Sequence, residues 1–181
     1  KMLLTFGVTL VLALAMIGVS MRTILSIRAS YGDILSNQVA ATQAVQESEM
    51  EVNSIARQLR DMALFGYDSS TVDSIQTSVN TINTALNTIS TLAAGTDGTA
   101  QQYIQEVQAW EAVFTDIDEA LQAGDSAQVN RLIQNECTPK LNQAVSTGHT
   151  LIAQLTAQSN DQVDQVRSSS TRDMIILGVL V

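Results

Sequence analysis

Apolar residues are concentrated at the two ends of the chain. Residues 2–21 are predominantly apolar and carry no charge, and a second apolar run begins at Met174 and reaches Val181. A helix of about 20 residues rises roughly 30 Å, which matches the hydrocarbon core of a bilayer. The sequence therefore predicts one transmembrane helix over residues 1–21 and the start of a second over residues 174–181.

The first apolar run also has features of a secretory signal peptide. Lys1 would supply the positively charged start, and Ala13-Leu14-Ala15 has the small-residue spacing of a cleavage site. The run nevertheless continues past these residues to membrane-spanning length, and a second run stands at the other end of the chain. We therefore expect a retained span.

The segment after the first span has the spacing of a long helix. Apolar and small residues recur every three or four positions from Ile24 to Met62, which is typical of one buried helix face. The pattern stops before Gly66, a residue that can take the left-handed conformation at a helix end. The spacing predicts a helix that continues the first span without a break.

The next segment is rich in Ser, Thr and Asn, a composition that also occurs in loops. Its apolar residues alternate steps of three and four: Val72, Ile75, Val79, Ile82, Leu86 and Ile89. That is a heptad pattern, and the period of two that a strand needs is absent. We expect a helix that is capped by Ser69 or Ser70 and ends near Ala94 and Gly95.

Two further helices follow from the same spacing. Thr99 and Gln102 form a capping-box pattern for the third helix, and Gly124-Asp125-Ser126 separates it from the fourth. The fourth helix contains Pro139, where we expect a kink, and runs on into the second span. The predicted fold is all-α: an antiparallel up-down four-helix bundle over residues 22–173, whose long first and fourth helices are continuous with the transmembrane helices.

The unequal helix lengths bear on assembly. The two middle helices are much shorter than the first and the fourth, so near the membrane one chain supplies only a pair of helices with exposed apolar seams. A second copy of the chain would cover these seams. The pattern predicts a homodimer.

Charge is distributed unevenly. Residues 22–173 contain all 18 carboxylates but eight of the nine basic residues, and Lys1 lies beyond the first span. This asymmetry favours a cytoplasmic amino terminus and an extracytoplasmic middle region. Nucleic acid is not expected as a partner, because phosphate contacts need a basic surface.

Residues with catalytic chemistry are sparse. His149 has no second His or Cys at metal-ligand spacing, so no metal site is expected. Cys137 lies on the apolar face of the fourth helix and is interpreted as a small core residue, while Trp110 and Phe114 are interpreted as core anchors. No nucleophile triad or glycine-rich phosphate loop occurs in the sequence. We expect neither enzymatic activity nor a cofactor.

Several features occur in a characteristic order. A membrane span continues into a long helix with Arg57-Gln58-Leu59-Arg60 near its far end, and then come Gly124-Asp125, Leu132-Ile133, Pro139 and a second span. This order resembles the amino-terminal half of a methyl-accepting chemotaxis protein with a four-helix-bundle sensor. The resemblance implies a homodimer in the bacterial cell membrane that binds small molecules near the distal dimer interface, directly or through a periplasmic binding protein. It also implies signalling by displacement of the fourth helix.

Four residues are candidates for ligand binding. Arg57 and Arg60 occupy neighbouring positions on the first helix, and two guanidinium groups suit a carboxylate ligand. Asn135 and Thr138 on the fourth helix fall at about the same height if the two helices are antiparallel, and would supply neutral hydrogen bonds. The alternatives are arginines that are solvated or paired with Asp61, and ordinary surface positions for Asn135 and Thr138.

The function predicted is ligand sensing and transmembrane signalling as the extracytoplasmic part of a bacterial chemoreceptor. One alternative is the same sensor attached to a histidine kinase or a nucleotide cyclase. Another is a membrane-tethered structural bundle that binds a protein partner and passes no signal. Residues beyond Val181 would distinguish the three, because a receptor has its cytoplasmic output domain there.

Overall fold

A computed structural model describes the backbone of residues 2–93 and 95–179, and the side chains of Met21, Arg22, Leu25, Gly32 and residues 36–93 and 95–168. The elements are α1 (Met2–Phe65), α2 (Ser69–Leu92), α3 (Thr99–Gln122), α4 (Ser126–Leu132), a π-helical turn (Ile133–Cys137) and α5 (Thr138–Val179). No strand occurs in the described backbone. The all-helical prediction is confirmed, and the three predicted turns lie where α1, α2 and α3 end.

The helices divide into two compact units. One contains residues 1–37 and 157–181, and the other contains residues 38–156. Among the described residues, none of the helices has a stretch that is both long and apolar enough to cross a membrane. The spans predicted over residues 1–21 and 174–181 fall almost wholly on side chains outside the described part, so they stay predictions, as does the domain assigned to residues 22–173.

The core of the unit formed by residues 38–156 takes apolar side chains from every helix segment in it. Its largest fully buried side chains include Ile55, Leu59, Ile75, Ile82, Ile89, Tyr103, Trp110, Ile117, Leu151 and Leu155. The heptad isoleucines of α2 are among them. This segment is therefore a packed helix despite its loop-like composition.

Threonine side chains on α2 form hydrogen bonds with the helix backbone. The hydroxyl groups of five threonines donate hydrogen bonds to the carbonyl four residues earlier: Thr77, Thr81, Thr84, Thr88 and Thr91. Such bonds satisfy the hydroxyl within the helix but add no helix stability of their own. The stability of α2 consequently comes from its buried isoleucine face.

The start of α2 differs from the prediction. Asp68, and not Ser69 or Ser70, is the N-cap, and its carboxylate accepts from the backbone N–H groups of Ser70 and Thr71. The hydroxyl groups of Thr71 and Ser70 also donate to it, and these hydrogen bonds lower the pKa of Asp68 to about 2. A carboxylate has two oxygens for the unpaired N–H groups of a first turn, which a single serine hydroxyl lacks.

The capping box predicted at Thr99 and Gln102 is also wrong. Gly98 is the N-cap of α3 with φ of 82°, a left-handed conformation that favours glycine. The capping hydrogen bond comes from Thr96, two positions before this N-cap, whose hydroxyl oxygen accepts from the Ala100 N–H at 3.4 Å. The Gln102 side chain donates to Glu106 on the next turn.

Helices α1 and α5 run antiparallel within the unit formed by residues 38–156. Glu49 on α1 faces His149 on α5, with 3.8 Å between Oε2 and Nε2. Further along α1, Arg60 faces Thr138. Residue numbers rise on one helix as they fall on the other. We call the height of the Arg60–Thr138 contact the first level and the height of the Glu49–His149 contact the second level.

Candidate functional site

The π-helical turn marks one end of this α1–α5 contact. The N–H of Thr138 donates to the carbonyl oxygen of Ile133, five residues earlier, and a regular α-helix resumes from Thr138. Pro139 follows and has no N–H of its own. The structure has one wide turn just before the proline, and the kink predicted at Pro139 stays a prediction. Turns of this kind are frequent at functional sites in helices.

Arg60 is the candidate arginine that contacts α5. Its Nη2 atom lies 3.5 Å from Oγ1 of Thr138, as a long hydrogen bond from the guanidinium to the hydroxyl. Arg60 is exposed and Thr138 is half-buried, while Asn135 is exposed within the π-helical turn. A guanidinium group with most of its donors open to solvent, next to a hydroxyl, is suited to bind an anionic ligand group.

Arg57 lies about 60° from Arg60 around the axis of α1. At about 100° per residue, side chains three apart on a helix diverge by about 60°. Arg57 instead shares a face with three exposed apolar residues, Val39, Met50 and Leu64, which are 50%, 65% and 75% exposed. These four residues fall within about 40° of one another around α1. Arg60 lies about 40° beyond Leu64 on the same side of α1, so the two arginines are neighbours at the edge of this face.

Neither arginine is paired with Asp61. Ion pairs are formed by Lys140 with Glu136, and by Glu49 with His149 when the imidazole is protonated, and Asp61 takes part in neither. The alternative of an Asp61-paired arginine does not apply here. Both guanidinium groups remain open to solvent.

Trp110 on α3 lies beneath the π-helical turn, next to Cys137, the last residue of that turn. Both are almost completely buried, as the sequence predicted for core residues. Burial raises the pKa of the Cys137 thiol, while the Trp110 N–H and the positive charge of Arg60 act in the opposite direction. The indole N–H has no oxygen acceptor among the described residues, only the Cys137 sulfur, which is a weak acceptor.

The sequence analysis missed a second polar cluster, which lies about three helical turns away from Arg60 along α1, near Glu49. Ser48 interrupts the apolar face of α1 and is fully buried. Its hydroxyl lies 2.6 Å from the Tyr103 hydroxyl and donates to the Val45 carbonyl oxygen at 2.9 Å. Burial raises the pKa of Tyr103 to about 12, against the opposing effect of the Ser48 hydrogen bond. Its sequence signal was a serine at a core position and a tyrosine on an apolar helix face.

An open depression lies elsewhere, at the turn between α2 and α3. It has a volume of about 380 Å³, and its polar lining includes Ser90, Thr96, Asp97 and Gln101. None of the four candidate ligand-binding residues lines it. Asp97 has a φ of 46°, as expected for an Asp in a tight turn.

Comparisons of the chain with known protein families, with characterised proteins and with solved structures gave no match. Within the described residues, no group of three or more His, Cys, Asp or Glu side chains is placed to hold a metal ion. Any functional assignment accordingly rests on the sequence pattern and on the geometry of the α1–α5 contact.

Proposed function

We propose that this chain is the ligand-sensing and signal-transmitting part of a bacterial chemoreceptor. In this proposal residues 22–173 form an antiparallel up-down four-helix sensor outside the cytoplasm, and its first and last helices continue into membrane spans over residues 1–21 and 174–181. The unbroken helical backbones of α1 (Met2–Phe65) and α5 (Thr138–Val179) support it. Helices that cross from a sensor into the membrane without a joint can transmit small displacements.

The observation that carries the proposal is the contact between Arg60 on α1 and Thr138 on α5, 3.5 Å apart beside the π-helical turn. A ligand carboxylate bound between these residues would contact both long helices at once. Binding that differs between two positions of α5 shifts the population toward the position that binds better. The ligand class we propose is a small carboxylate, with Arg60 as the charged contact and Thr138 and Asn135 as neutral ones.

A homodimer fits the exposed apolar face of α1. Val39, Met50 and Leu64 lie on the side opposite the buried face of this helix and are well exposed. They are spaced about 16 and 21 Å apart along the helix axis, so a helix of a second copy that lies along this face would cover all three. A second copy of the chain, related by a two-fold axis, is the proposed occupant. Arg57 lies on this face beside Arg60, so in this proposal it is the second guanidinium near the ligand, at the edge of the dimer interface.

Calorimetric titration tests the ligand site. The full chain in detergent micelles is titrated with a panel of organic acids and amino acids, in the wild-type, Arg60→Ala and Arg167→Ala forms. Loss of a charged contact typically costs about 2 to 5 kcal/mol, and about 1.4 kcal/mol is a factor of ten, so Arg60→Ala should weaken binding at least tenfold. Arg167 is an exposed arginine 29 residues beyond Thr138 along α5, and its replacement should leave affinity within about twofold, since it removes the same charge at a distance from the site.

Equal affinity of wild type and of the double variant Arg57→Ala/Arg60→Ala for every bound compound would exclude the arginine site. The receptor proposal is tested separately by disulfide crosslinking in membranes, in a Cys137→Ser background. Val39→Cys and Met50→Cys should form dimers, whereas Asn83→Cys on the exposed side of α2 should not. Failure of both α1 variants to crosslink would contradict the proposed dimer.

A further inference from the structure

The carboxyl group of Glu49 lies directly over Gly148. A Cβ atom added at Gly148 would overlap Glu49 Oε1 and come within 2.9 Å of the Tyr103 ring. No other described glycine in a helix is covered in this way; at Gly32 a Cβ would meet nothing within 4 Å. The missing side chain of Gly148 thus creates a notch in α5, and the carboxyl group of Glu49 on α1 fills it.

This carboxyl group is poorly supported by hydrogen bonds. No donor reaches its Oε1 atom in the part of the chain that the structure describes, although that atom is buried. The other oxygen, Oε2, lies 3.8 Å from Nε2 of His149. A buried carboxylate without donors is destabilised relative to its neutral form. The position therefore makes ionisation of this carboxyl group less favourable than it is in water.

The surrounding titratable groups on each neighbouring helix can be named. His149 faces Glu49 from α5 and Tyr103 faces it from α3. Glu106 lies further along α3. Burial raises its pKa, but hydrogen bonds from Thr147, Gln102 and Gln143 outweigh this effect and lower the pKa overall. On α1 itself, Glu47 and Glu51 project away from α5 at about 100° per residue. Glu49 is thus the acid in this cluster whose charge lacks a strong partner.

We propose that Glu49 and Gly148 form a proton-sensitive latch that holds α5 in one register against α1. With the neutral carboxyl group in the notch, the α1–α5 register is the one that the structure shows. Ionisation of Glu49 favours withdrawal of its side chain to solvent, which leaves α5 free to slide or rotate at this level. The signalling role of the latch rests on the proposed function, but the latch itself is a property of the folded chain.

The direction of the pH effect follows from linkage. Burial raises the pKa of Glu49, and the charge of His149 opposes this only in part. At this group the folded chain then binds the proton more tightly than the unfolded chain. The contribution of Glu49 to stability is therefore fully present below the ordinary glutamate value of 4.5 and is lost as pH rises through the higher folded value. Glu49→Gln keeps the size of the side chain and removes the ionisation, so it should remove this part of the decrease.

Five variants of the full chain in detergent micelles test the latch: Glu49→Gln, Glu49→Ala, Gly148→Ala, the double variant Glu49→Ala/Gly148→Ala, and Gly32→Ala as the matched glycine control. Gly148→Ala should lower Tm by about 2 to 6 °C through overpacking, whereas Gly32→Ala should raise it because alanine favours the helix. The double variant should recover part of the loss, since truncating the Glu49 side chain empties the notch. Amide hydrogen exchange along residues 141–155, corrected for its intrinsic pH dependence, should speed up with rising pH in wild type and less so in Glu49→Gln.

The comparison must be made between variants, because burial also raises the pKa of Glu111 to about 7 and adds its own pH dependence. Additive effects of the Glu49 and Gly148 substitutions would overturn the notch. Identical pH dependence in wild type and Glu49→Gln would overturn the proton sensitivity. None of these measurements uses a ligand, so they stand whether or not the arginine site binds a carboxylate.

Discussion

Two levels of the α1–α5 contact differ in how they are built. At the π-helical turn, exposed Arg60 meets half-buried Thr138 through one long hydrogen bond. At the second level, Glu49 fills the Gly148 notch beside a buried pair of hydroxyl groups. Glu49 and Arg60 are eleven residues apart, and so are Thr138 and His149, a separation of about three helical turns on each helix. The same pair of faces therefore has an open, polar end and a tightly packed end.

The two levels suit different roles: the π-helical turn suits ligand binding, and the Glu49–Gly148 level suits holding α5 in register against α1. A solvent-exposed hydrogen bond contributes little to folding, so groups at the π-helical turn are free to bind something else. A filled notch and a buried hydrogen bond have few alternative arrangements, so the second level determines the position of α5. Because α5 is a regular helix from Thr138 to His149, a movement at one level must be felt at the other.

The largest expected effect tests what supports the open level from beneath. Trp110→Ala should lower the free energy of unfolding by about 3 to 5 kcal/mol, because it removes a large buried side chain under the π-helical turn. Trp110→Phe should cost clearly less, since the indole N–H has no oxygen acceptor to lose. Urea unfolding followed by circular dichroism measures both. An equal cost for the two variants would show that the N–H, and not the ring, stabilises this level.

An intermediate effect is expected at the packed level. Ser48→Ala should cost about 1 to 2 kcal/mol, because it leaves the buried Tyr103 hydroxyl with only a 3.5 Å contact to the Val45 carbonyl oxygen. Tyr103→Phe should cost less, since Ser48 keeps its 2.9 Å bond to the same oxygen. The double variant should cost less than the sum of the two by about 0.5 kcal/mol or more. Strict additivity in this cycle, measured by thermal or urea unfolding, would argue against a shared hydrogen bond.

The smallest effect is expected for Pro139→Ala. A proline inside a regular helix costs about 3 kcal/mol, so its removal would normally stabilise strongly. Here a wide turn already precedes Pro139, so we expect the helix to accommodate the proline with little strain and the gain to stay under about 1 kcal/mol. The free energy of unfolding checks the magnitude, and amide exchange at residue 139 shows whether the new N–H is bonded. A gain near 3 kcal/mol would mean that the π-helical turn is strained by the proline.

The helices themselves were predictable because their apolar spacing is regular. Ile75, Ile82 and Ile89 are fully buried, so the heptad pattern outweighed the loop-like composition of α2. Caps were less predictable, since Asp68, Ser69 and Ser70 can all accept a hydrogen bond and only the local backbone decides which does. At Pro139 the sequence showed that a hydrogen bond must be missing, but a kink and an extra residue relieve that loss equally well.

The packed level could not be found from the sequence because its members are far apart in it. Ser48 and Tyr103 are separated by 55 positions, and nothing local to either indicates the other. Gly148 has the same appearance as any small residue in a helix until Glu49 is known to lie opposite it. Such pairings depend on which helices are neighbours and in which register, and periodicity within one helix carries no information about that.

The π-helical turn has a consequence for aligning this chain with others. A π turn holds one residue more than an α turn, so Ile133–Cys137 acts as a single-residue insertion within an otherwise continuous helix. An ordinary α-helical counterpart would match the residues before and after it only if one gap were opened there. Scoring schemes that forbid gaps inside helices would then place every position from Thr138 onward about 100° out of phase.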